Sequence, residues 1–470
     1  MSTPNAFAAM STSTKVKWLV NILLTAAVFL IPTTEQFTMQ IKIFLAITVF
    51  NILLMAFDNV PIIVPSLLLP LAYWIFKVAE PGVIYHAWGD QIAWIVVGGL
   101  FFAYMMNASG LSKRIAYKCM ILARGNFIAL MFIMIIPGLI IAPFVPAALA
   151  RTALFCAIMM SLCDALGYKP DTPKAIMAFV VAYIVSANSG WLVMTGSNAN
   201  IVATSYLQQN GINVDFFSYL FYNFPPELLW IIGSVAIVVL MNRDKKHSED
   251  SAQIREHVKE QYTSLGKMSS KEKKMLVLMI LTFVLLLTTN YHSLNAGMIF
   301  TLIVIIGFIP GIDLMTGKDV SKINFSMVFM VTACVAIGDV SMELNAGQVL
   351  MDSLMPYAPK SLLALALFIF IIAFFGNLLM TPLALLAALS MPLISLSQNL
   401  GLNPEAIIYI FLYSTAALIL PYEITAGVVM YGYGMVNMKN FLKNFTAIAI
   451  WSLLCIFIFL IPWFKITGLL

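Results

Sequence analysis

Long apolar runs separated by short polar segments occupy most of this sequence. A helix spans the hydrocarbon core of a bilayer with about 20 apolar residues, and most of these runs approach that length. The pattern therefore predicts an all-α polytopic membrane protein. The runs are residues 18–32, 40–57, 60–78, 91–109, 125–143, 146–166, 174–194, 216–241, 274–289, 294–310, 323–342, 361–381, 384–400, 404–420 and 441–464.

Two pairs of runs are joined by only a few residues, which are apolar or proline and too few for a loop in water. We predict that each pair forms a re-entrant hairpin whose tip stops inside the membrane. Non-helical backbone at that depth is tolerated only against protein or a polar cavity. The pairs are 125–143 with 146–166, and 361–381 with 384–400.

One hydrophilic segment, Asn242 to Lys274, divides the chain near its middle, and its Lys and Arg residues outnumber its Asp and Glu residues. Basic residues also precede the first run and follow the run that ends at residue 109. Because cytoplasmic loops are enriched in Lys and Arg, we expect the N-terminus and this segment to face the cytoplasm. We interpret the segment as a solvated amphipathic linker.

The two sides of the linker resemble each other, since each has a long span, then a proline-tipped hairpin, then an interrupted apolar run. Matching interruptions in two halves indicate a transporter built from an inverted repeat. The predicted units are N-terminal spans 1–79, a first repeat 80–241 with hairpin 125–166, the linker 242–274, connecting spans 275–322, and a second repeat 323–470 with hairpin 361–400.

Composition excludes several classes of function. The chain is 61% hydrophobic and 10% charged, which leaves too few charges to cover soluble domains and excludes a soluble enzyme, a nucleic-acid binder and a disordered scaffold. The net charge of +5 is explained by basic cytoplasmic loops. The sequence has no nucleophile–base set, metal-spaced histidines or phosphate loop. We therefore expect membrane lipids around the chain, no organic cofactor and no enzyme activity, and we interpret the five cysteines as small buried hydrophobes.

Polar and small residues interrupt one apolar run in each half, from Thr195 to Asn200 and from Leu420 to Gly427. A helix that restarts inside the membrane offers N–H groups that suit an anion, and a helix that ends there offers carbonyls that suit a cation. We predict that polar side chains at these interruptions and at the second hairpin tip bind the substrate or the coupling ion. They are Thr195, Ser197, Asn198, Asn200, Thr381 and Thr425.

Two charged residues lie at these special points, and a charge inside the membrane is costly enough to indicate a function. Arg151 follows the first hairpin tip by one turn, and Glu423 lies in the second interruption. A guanidinium matches a carboxylate bidentately, so Arg151 is predicted to hold an anion. Glu423 is predicted to carry a proton or attract a cation. The alternative is that the two residues neutralise each other as a buried pair.

The remaining carboxylates in or near apolar runs are interpreted differently. Asp164 and Glu227 are predicted to be interfacial, with structural roles, because Asp164 lies near a run end and Glu227 follows Pro225-Pro226. The roles of Asp58 and Asp339 stay open.

Several short motifs occur in a recognisable order from about Trp88 to the C-terminus. They are Gly110-Leu111-Ser112-Lys113-Arg114, Thr195-Gly196-Ser197-Asn198-Ala199-Asn200, Ile323-Asn324-Phe325, Ala384 to Pro392 with Leu400-Gly401-Leu402-Asn403-Pro404, and Leu420-Pro421 ahead of Tyr431-Gly432-Tyr433-Gly434-Met435. With these motifs the chain resembles the divalent anion:sodium symporter family, which carries dicarboxylates, citrate and sulfate. The resemblance implies an inverted repeat, a scaffold domain that dimerises and a transport domain that moves like an elevator.

The hairpin tips depart from that family, which has Ser-Asn-Thr at each tip to bind sodium and substrate carboxylates. Here the first tip reads Ala147-Ala148-Leu149 and the second reads Thr381-Pro382-Leu383, so these side-chain ligands are missing. The residues that the resemblance and the interruptions assign to the substrate are Ala147, Ala148, Leu149, Arg151, Asn198, Asn200, Thr381, Pro382 and Thr425. Those assigned to the coupling ion are Gly196, Ser197 and Glu423, with either Na⁺ near Gly196 or a proton on Glu423.

We therefore expect a secondary active transporter that moves a small anion, a di- or tricarboxylate, across the cytoplasmic membrane as a homodimer. A sodium or a proton gradient would drive it. Two alternatives stay open. One is a cation/proton antiporter or inorganic-anion carrier with Glu423 and Asp339 as its ion site. The other is a transport-dead membrane sensor or partner subunit, which the altered tips suggest.

Overall fold

The computed structural model describes residues 12–57, 60–243, 251–346, 349, 359, 361–379 and 381–470. Regular structure within these residues is helical, and they contain no strand. The predicted all-α fold is therefore confirmed. Asp58, Met380 of the second hairpin tip, the tail before Thr12 and linker residues 244–250 lie outside the described residues.

The helices follow the predicted apolar runs closely, and several polar helices lie between them. In chain order they are α1 (Thr12–Leu30), α2 (Met39–Phe57), α3 (Ile63–Ile75), α4 (Pro81–Ile84), α5 (Gln91–Ser109), α6 (Leu111–Ile121), α7 (Phe127–Ile133), α8 (Ile135–Ile141), α9 (Ala148–Leu166), α10 (Pro173–Ala187), α11 (Asn198–Gln209), α12 (Phe216–Met241), α13 (Ser251–Ser264), α14 (Ser270–Leu287), α15 (Thr289–His292), α16 (Ala296–Phe308), α17 (Ser326–Glu343), α18 (Leu362–Leu379), α19 (Pro382–Asn399), α20 (Pro404–Thr415), α21 (Thr425–Gly432), α22 (Met438–Cys455) and α23 (Ile461–Ile466).

Eight helical segments in the described part of the chain are long and apolar enough to cross a membrane, which confirms a polytopic membrane protein. They are Gln91–Ser109, Phe127–Phe144, Ala148–Leu166, Pro173–Leu192, Phe216–Met241, Ser326–Glu343, Pro382–Asn399 and Met438–Ile466. Within the segment Pro173–Leu192, residues 175–190 are all buried. It forms the centre of the bundle, and the first interruption lies at its end.

The first hairpin has a bent outer arm that lies directly on the central helix. Proline clashes with the carbonyl four residues earlier, and accordingly α7 ends at Ile133, four residues before Pro137. A side chain on Gly138 would meet the Val185 carbonyl oxygen at 2.2 Å, so this arm contacts the α10 backbone. The chain turns through a 3₁₀ turn, Ala142–Phe144, and α9 returns from Ala148.

The two halves of the chain make reciprocal contacts, as two units related by a two-fold axis do. The returning arm of the first hairpin, α9, packs against α21, and the returning arm of the second, α19, packs against α11. In the same way α10 packs against α21, and α20 packs against α11. Helix α12 packs against its counterpart α22, and α5 against α17. The two halves are therefore joined by paired contacts between their helices.

The central linker is exposed over most of its described length, but one stripe of it is buried against the bundle. It contains α13, which packs against α6 and the hairpin arm α9, and Ile254 and Val258 on one face of α13 are 2% exposed. These two residues are four positions apart, which places them on one stripe of a helix. The next helix, α14, begins at Ser270, inside the predicted linker.

An ion pair fastens this linker to the bundle. Arg114 of α6 donates from Nε to Glu272 Oε1 at 2.5 Å and from Nη2 to Oε2 at 3.1 Å. Its remaining N–H groups reach the carbonyls of Gly266 and Leu265. Burial raises the pKa of Glu272, but hydrogen bonds from Arg114 and Ser269 outweigh it, so the pKa lies below its usual value. The pair is therefore formed at neutral pH and is lost only as acid protonates Glu272.

We expect Arg114→Ala to release the linker, because it leaves Glu272 without its cation and two carbonyls without donors. Trypsin should then cleave within residues 242–274 about ten times faster than in the wild-type protein, which corresponds to about 1.4 kcal/mol of local opening. Glu256→Gln, which changes an exposed side chain of the same segment and leaves every trypsin site in place, is the control and should leave the rate unchanged. Equal cleavage rates for wild type and Arg114→Ala would show that the ion pair does not hold the linker.

Candidate functional site

The first interruption runs from Asn188 to Ser197 and connects α10 to α11. Two 3₁₀ turns, Asn188–Leu192 and Met194–Gly196, are separated by the extended residue Val193. Ser197 then caps α11 by accepting from the Asn200 N–H at 3.1 Å. The interruption therefore begins earlier than predicted, and Asn198 and Asn200 belong to the first turn of the restarted helix.

The Asn200 amide ties this interruption together. Its Nδ2 donates to the carbonyls of Gly190 at 2.9 Å and Val193 at 2.8 Å, while its Oδ1 accepts from the Ser197 hydroxyl at 2.8 Å. The Asn200 side chain is fully buried. All three of these bonds are internal to the interruption, so Asn200 holds the backbone that surrounds the site.

Two glycines let the backbone cross itself within the interruption. A Cβ atom on Gly190 would lie 2.3 Å from the Gly196 carbonyl oxygen and 2.4 Å from Arg151 Nη2. A Cβ atom on Gly196 would lie 2.2 Å from the Gly190 carbonyl oxygen. Because the close neighbours are mostly backbone atoms, which cannot turn away as a side chain can, both positions require glycine.

Arg151, on the first turn of α9, joins the hairpin tip to this interruption. Its side chain is 1% exposed. Nε donates to the Ser186 carbonyl at 2.6 Å, Nη2 to the Ala187 carbonyl at 3.2 Å, and Nη1 to the Gly196 carbonyl at 2.8 Å. Nη1 also donates to the Val145 carbonyl at the tip. The guanidinium thus binds carbonyl oxygens from three separate segments, which are the tip, the end of α10 and the second 3₁₀ turn.

The second interruption follows the same backbone path with different side chains. Leu420 (φ −123°, ψ 145°) precedes a 3₁₀ turn, Pro421–Glu423, and Ile424 (φ −143°, ψ 140°) precedes α21. The first interruption has Val193 (φ −129°, ψ 146°) and Ser197 (φ −151°, ψ 153°) at the equivalent places. Glu423 therefore occupies the position of Gly196.

The Glu423 carboxyl caps the second interruption from inside. It is 1% exposed, and its Oε1 accepts from the backbone N–H groups of Leu420 at 2.7 Å and Ile419 at 3.1 Å. Its Oε2 is buried and has no hydrogen-bond partner among the described residues. The N-cap residue of α21 is Ile424, whose side chain accepts no hydrogen bond. This leaves N–H groups of the first turn of α21 for a ligand.

Comparison with known proteins identifies the family. The model described as "Sodium:sulfate symporter transmembrane region" matches residues 12–470. The chain belongs to this family. The family resemblance stated from the motifs is therefore confirmed.

Individual relatives are more distant. The chain is 26% identical over 271 residues to dicarboxylate transporter 1, chloroplastic, of Spinacia oleracea, in a match that spans 56% of this chain and 47% of that protein, or about half its length. It is 21% identical over 463 residues to the citrate/succinate antiporter of Escherichia coli strain K12, across 90% of this chain and 93% of that protein. It is also 23% identical over 343 residues to a membrane protein of Cupriavidus necator, across 68% of this chain and 66% of that protein. The family and the two relatives with functional names are transporters rather than enzymes.

The predicted substrate residues at the hairpin tips differ in their exposure. At the first tip, Ala147 and Ala148 are half-buried and Leu149 is 45% exposed. At the second tip, Thr381 caps α19 by accepting from the Ala384 N–H at 3.4 Å, and Pro382 is buried at the first position of the helix.

The remaining predicted residues lie in the first turns of the restarted helices, where Asn198 is half-buried and Thr425 is exposed. Thr195 faces the tip instead, since its hydroxyl donates to the Pro143 carbonyl at 2.9 Å. The first interruption and the first tip are thus brought into direct contact.

The charged residues singled out in the apolar runs lie in separate environments in the structure. Arg151 and Glu423 are both described, and no ion pair joins them, so they do not neutralise each other as a buried pair. Asp339 lies near the end of α17, with Oδ2 3.5 Å from His86 Nδ1. Glu227 was predicted to be interfacial, and that was wrong. It is 1% exposed because α12 continues through Pro225 and Pro226.

Sequence reasoning missed one polar residue of the second hairpin. Asn377 of α18 donates from Nδ2 to the Thr415 carbonyl at the end of α20, at 2.9 Å. It is 1% exposed, and its Oδ1 has no partner among the described residues. The signal was an amide within an otherwise apolar hairpin arm, close to the tip. Among the described residues, no group of three or more His, Cys, Asp or Glu side chains could hold a metal ion.

Proposed function

We propose that this protein is a secondary active transporter that carries a di- or tricarboxylate through the site enclosed by the two hairpin tips and the two interruptions. The observation that carries this proposal is the buried guanidinium of Arg151, which meets only carbonyl oxygens. Dipoles satisfy its hydrogen bonds, but they leave its net positive charge uncompensated. A fixed cation in a membrane interior favours an anionic ligand.

The geometry around Arg151 supports an anion at the first tip. Four of the five guanidinium N–H groups are accounted for by carbonyls, so one N–H on Nη2 remains to bind a carboxylate. Asn198 and Thr425 occupy the first turns of helices whose N-termini favour negative charge. In this proposal Arg151, Asn198 and Thr425 hold the anion, and the tip residues Ala147, Ala148, Leu149, Thr381 and Pro382 enclose it.

Coupling is proposed to lie at the two interruptions, with Gly196, Ser197 and Glu423. The Gly196 carbonyl, a predicted Na⁺ ligand, accepts a hydrogen bond from Arg151, so the guanidinium already supplies a positive charge where Na⁺ was predicted. The family description names sodium, whereas the carboxyl of Glu423 can bind either a cation or a proton. Both Na⁺ and H⁺ therefore enter the test.

The proposed arrangement in the membrane follows from the same contacts. We place the N-terminus and the linker with α13 on the cytoplasmic side of the cell membrane, because their basic residues favour that side. Because α9 packs against α13, the loop between α9 and α10 lies on that side too. Asp171 in this loop accepts from the Asn437 backbone N–H at 2.7 Å, so the loop before α22 lies there as well. The two hairpins consequently enter from opposite sides, as in an inverted repeat. A homodimer with an elevator-like transport domain completes the proposal.

Proteoliposome uptake tests this function directly. Labelled succinate, citrate and sulfate are each offered under an imposed sodium gradient, under an imposed proton gradient, and as counterflow against the unlabelled compound. We expect uptake of a di- or tricarboxylate in at least one condition. Uptake of sulfate alone would reassign the substrate to inorganic anions. No uptake in any condition would favour the antiporter or the transport-dead alternative.

A further inference from the structure

A polar stripe lies between α12 and α20, away from the hairpin tips. It is formed by residues spaced four apart on each helix, which are Asp215, Tyr219, Asn223 and Glu227 at the start and in the first half of α12, and Glu405, Tyr409 and Tyr413 on α20. The Tyr219 and Tyr409 rings lie 5.2 Å apart, edge to face. All members except Asp215 are buried, from 0% exposed at Tyr409 and Asn223 to 8% at Glu405. The stripe leads from the two helix N-termini into the bundle and ends at Glu227.

Glu227 is a carboxyl without a cation. In the described part of the chain no Lys, Arg or His side chain pairs with it, and its Oε1 has no hydrogen-bond partner. The Tyr413 hydroxyl lies beside it. An unpaired carboxylate at this depth costs several kcal/mol, so the carboxyl is stable there mainly in its neutral form.

The hydrogen bond that Tyr413 already makes points to the same protonation state. Its hydroxyl donates to the Asn223 carbonyl at 3.1 Å. A hydroxyl has a single proton, so toward Glu227 the Tyr413 oxygen can only accept. A carboxyl that donates to it must itself be protonated. Because the Tyr413 proton is donated to the Asn223 carbonyl, it does not stabilise an ionised Glu227.

The other two buried carboxyls of the site region have the opposite environment. Glu423 accepts from two backbone N–H groups, and Glu405 accepts from the Tyr409 hydroxyl at 2.8 Å. Hydrogen bonds donated to a carboxyl favour its ionised form. Among the described residues, Glu227 is the one of these three carboxyls that accepts no hydrogen bond from a backbone N–H or from a hydroxyl with a free proton, so it is the one suited to keep a proton.

Other titratable groups lie on the elements that pack against α12. They are Lys174 and Tyr183 on α10, Lys271, Glu272, Lys273 and Lys274 on α14, Lys439, Lys443 and Cys455 on α22, and Lys465 on α23. The lysines and Glu272 lie in the first or last turns of their helices or close to them. Tyr183 and Cys455 are neutral at physiological pH, so no fixed charge among these groups opposes protonation of Glu227.

The polar stripe also contacts the first interruption. Helix α12 packs against the 3₁₀ turn Asn188–Leu192, and the Trp191 carbonyl in that turn accepts from the Tyr219 hydroxyl at 3.2 Å. The Trp191 ring meets the Tyr413 ring edge to face, with centroids 6.1 Å apart. Tyr219 and Tyr413 of the polar stripe therefore both contact Trp191 of the first interruption.

We propose that Glu227 binds and releases the coupling proton of this transporter, with Tyr413 as its positioning residue and the polar stripe as its access route. This inference rests on the proposed transport function. It makes the coupling ion a proton and places it on Glu227 instead of on Glu423. On binding, a proton from water adds to one carboxylate oxygen, and on release it returns to water, so no other bond is made or broken.

Infrared spectroscopy of the purified full-length protein tests the site without any need for transport. The protonated carboxyl has a carbonyl stretch that is separate from the carboxylate bands. We expect this band in the wild type at neutral pH, its loss in Glu227→Gln, and its shift in Tyr413→Phe, which removes the positioning hydroxyl. Asp164→Asn, at an exposed carboxyl near the end of α9, should leave the band unchanged. If the band persists in Glu227→Gln, or never occurs, the proposal is overturned.

Transport assays separate the coupling role from the transport function. In Glu227→Gln, which mimics the neutral carboxyl, counterflow should stay within about twofold of the wild type, whereas accumulation driven by a proton gradient should fall by about tenfold or more. Accumulation that is unchanged in Glu227→Gln would also overturn the proposal. Absence of counterflow in the wild type would count against the proposed transport function instead, and the infrared result would still decide whether Glu227 holds a proton.

Discussion

Arg151→Ala is expected to abolish transport and to lower the free energy of unfolding by at least about 3 kcal/mol, because it leaves buried carbonyl oxygens without donors at about 1–3 kcal/mol each. The acceptors lie at the hairpin tip, at the end of α10 and in the second 3₁₀ turn, so these three segments lose their shared anchor. Arg151→Lys should also be inactive, since a single ammonium group cannot reproduce the planar fork that reaches all of them. Thermal unfolding in detergent and proteoliposome uptake measure the two effects.

Thr152→Ala is the matched control for Arg151. Thr152 is the next residue on α9 and is equally buried, and its hydroxyl bonds to the Ser186 hydroxyl at 2.9 Å. Its loss removes one hydrogen bond, at about 1 kcal/mol, and transport should continue. Full transport by Arg151→Ala would refute both the anchoring role and the substrate role of the guanidinium.

Gly190→Ala and Gly196→Ala are expected to have effects of similar size, although each adds only one methyl group. Either methyl group would lie within 2.4 Å of backbone oxygen in the other 3₁₀ turn. The two turns would have to separate, which breaks the bonds that Asn200 and Arg151 make across them. We expect destabilisation of more than about 4 kcal/mol, or failure to fold, together with loss of transport.

The control for these glycines is Gly432→Ala, at the end of α21. A Cβ atom there meets no atom within 4 Å, and the backbone is not in the left-handed region. Unchanged melting temperature and uptake are expected for this variant. If Gly190→Ala behaved in the same way as Gly432→Ala, the crossing of the two turns would not be essential to the site.

Much of the architecture could be predicted from the sequence, because membrane spans depend on local composition. The apolar runs and the positions of both interruptions correspond to described helices and turns. Helix α13 was missed because its apolar stripe consists mainly of Ile254 and Val258, which is too short to stand out within a polar segment. Its burial depends on α6 and α9, which no local pattern reveals.

The site itself was less predictable because its contacts join distant segments. Arg151 could be singled out as a charge at a tip, but its acceptors at Val145, Ser186 and Gly196 are fixed only by the tertiary fold. Glu227 was misplaced for a different reason. A pair of prolines normally indicates a helix end, whereas α12 passes through both and buries the carboxyl that follows.

The equivalent torsion angles of the two interruptions have a consequence for how the two halves of the chain are compared. Val193 and Leu420, and likewise Ser197 and Ile424, share a backbone conformation, yet the residues between them include Gly196 in one case and Glu423 in the other. The path of the main chain is therefore alike where the amino acids differ. A comparison of the two halves by backbone angles detects this likeness, whereas a comparison of their residues overlooks it.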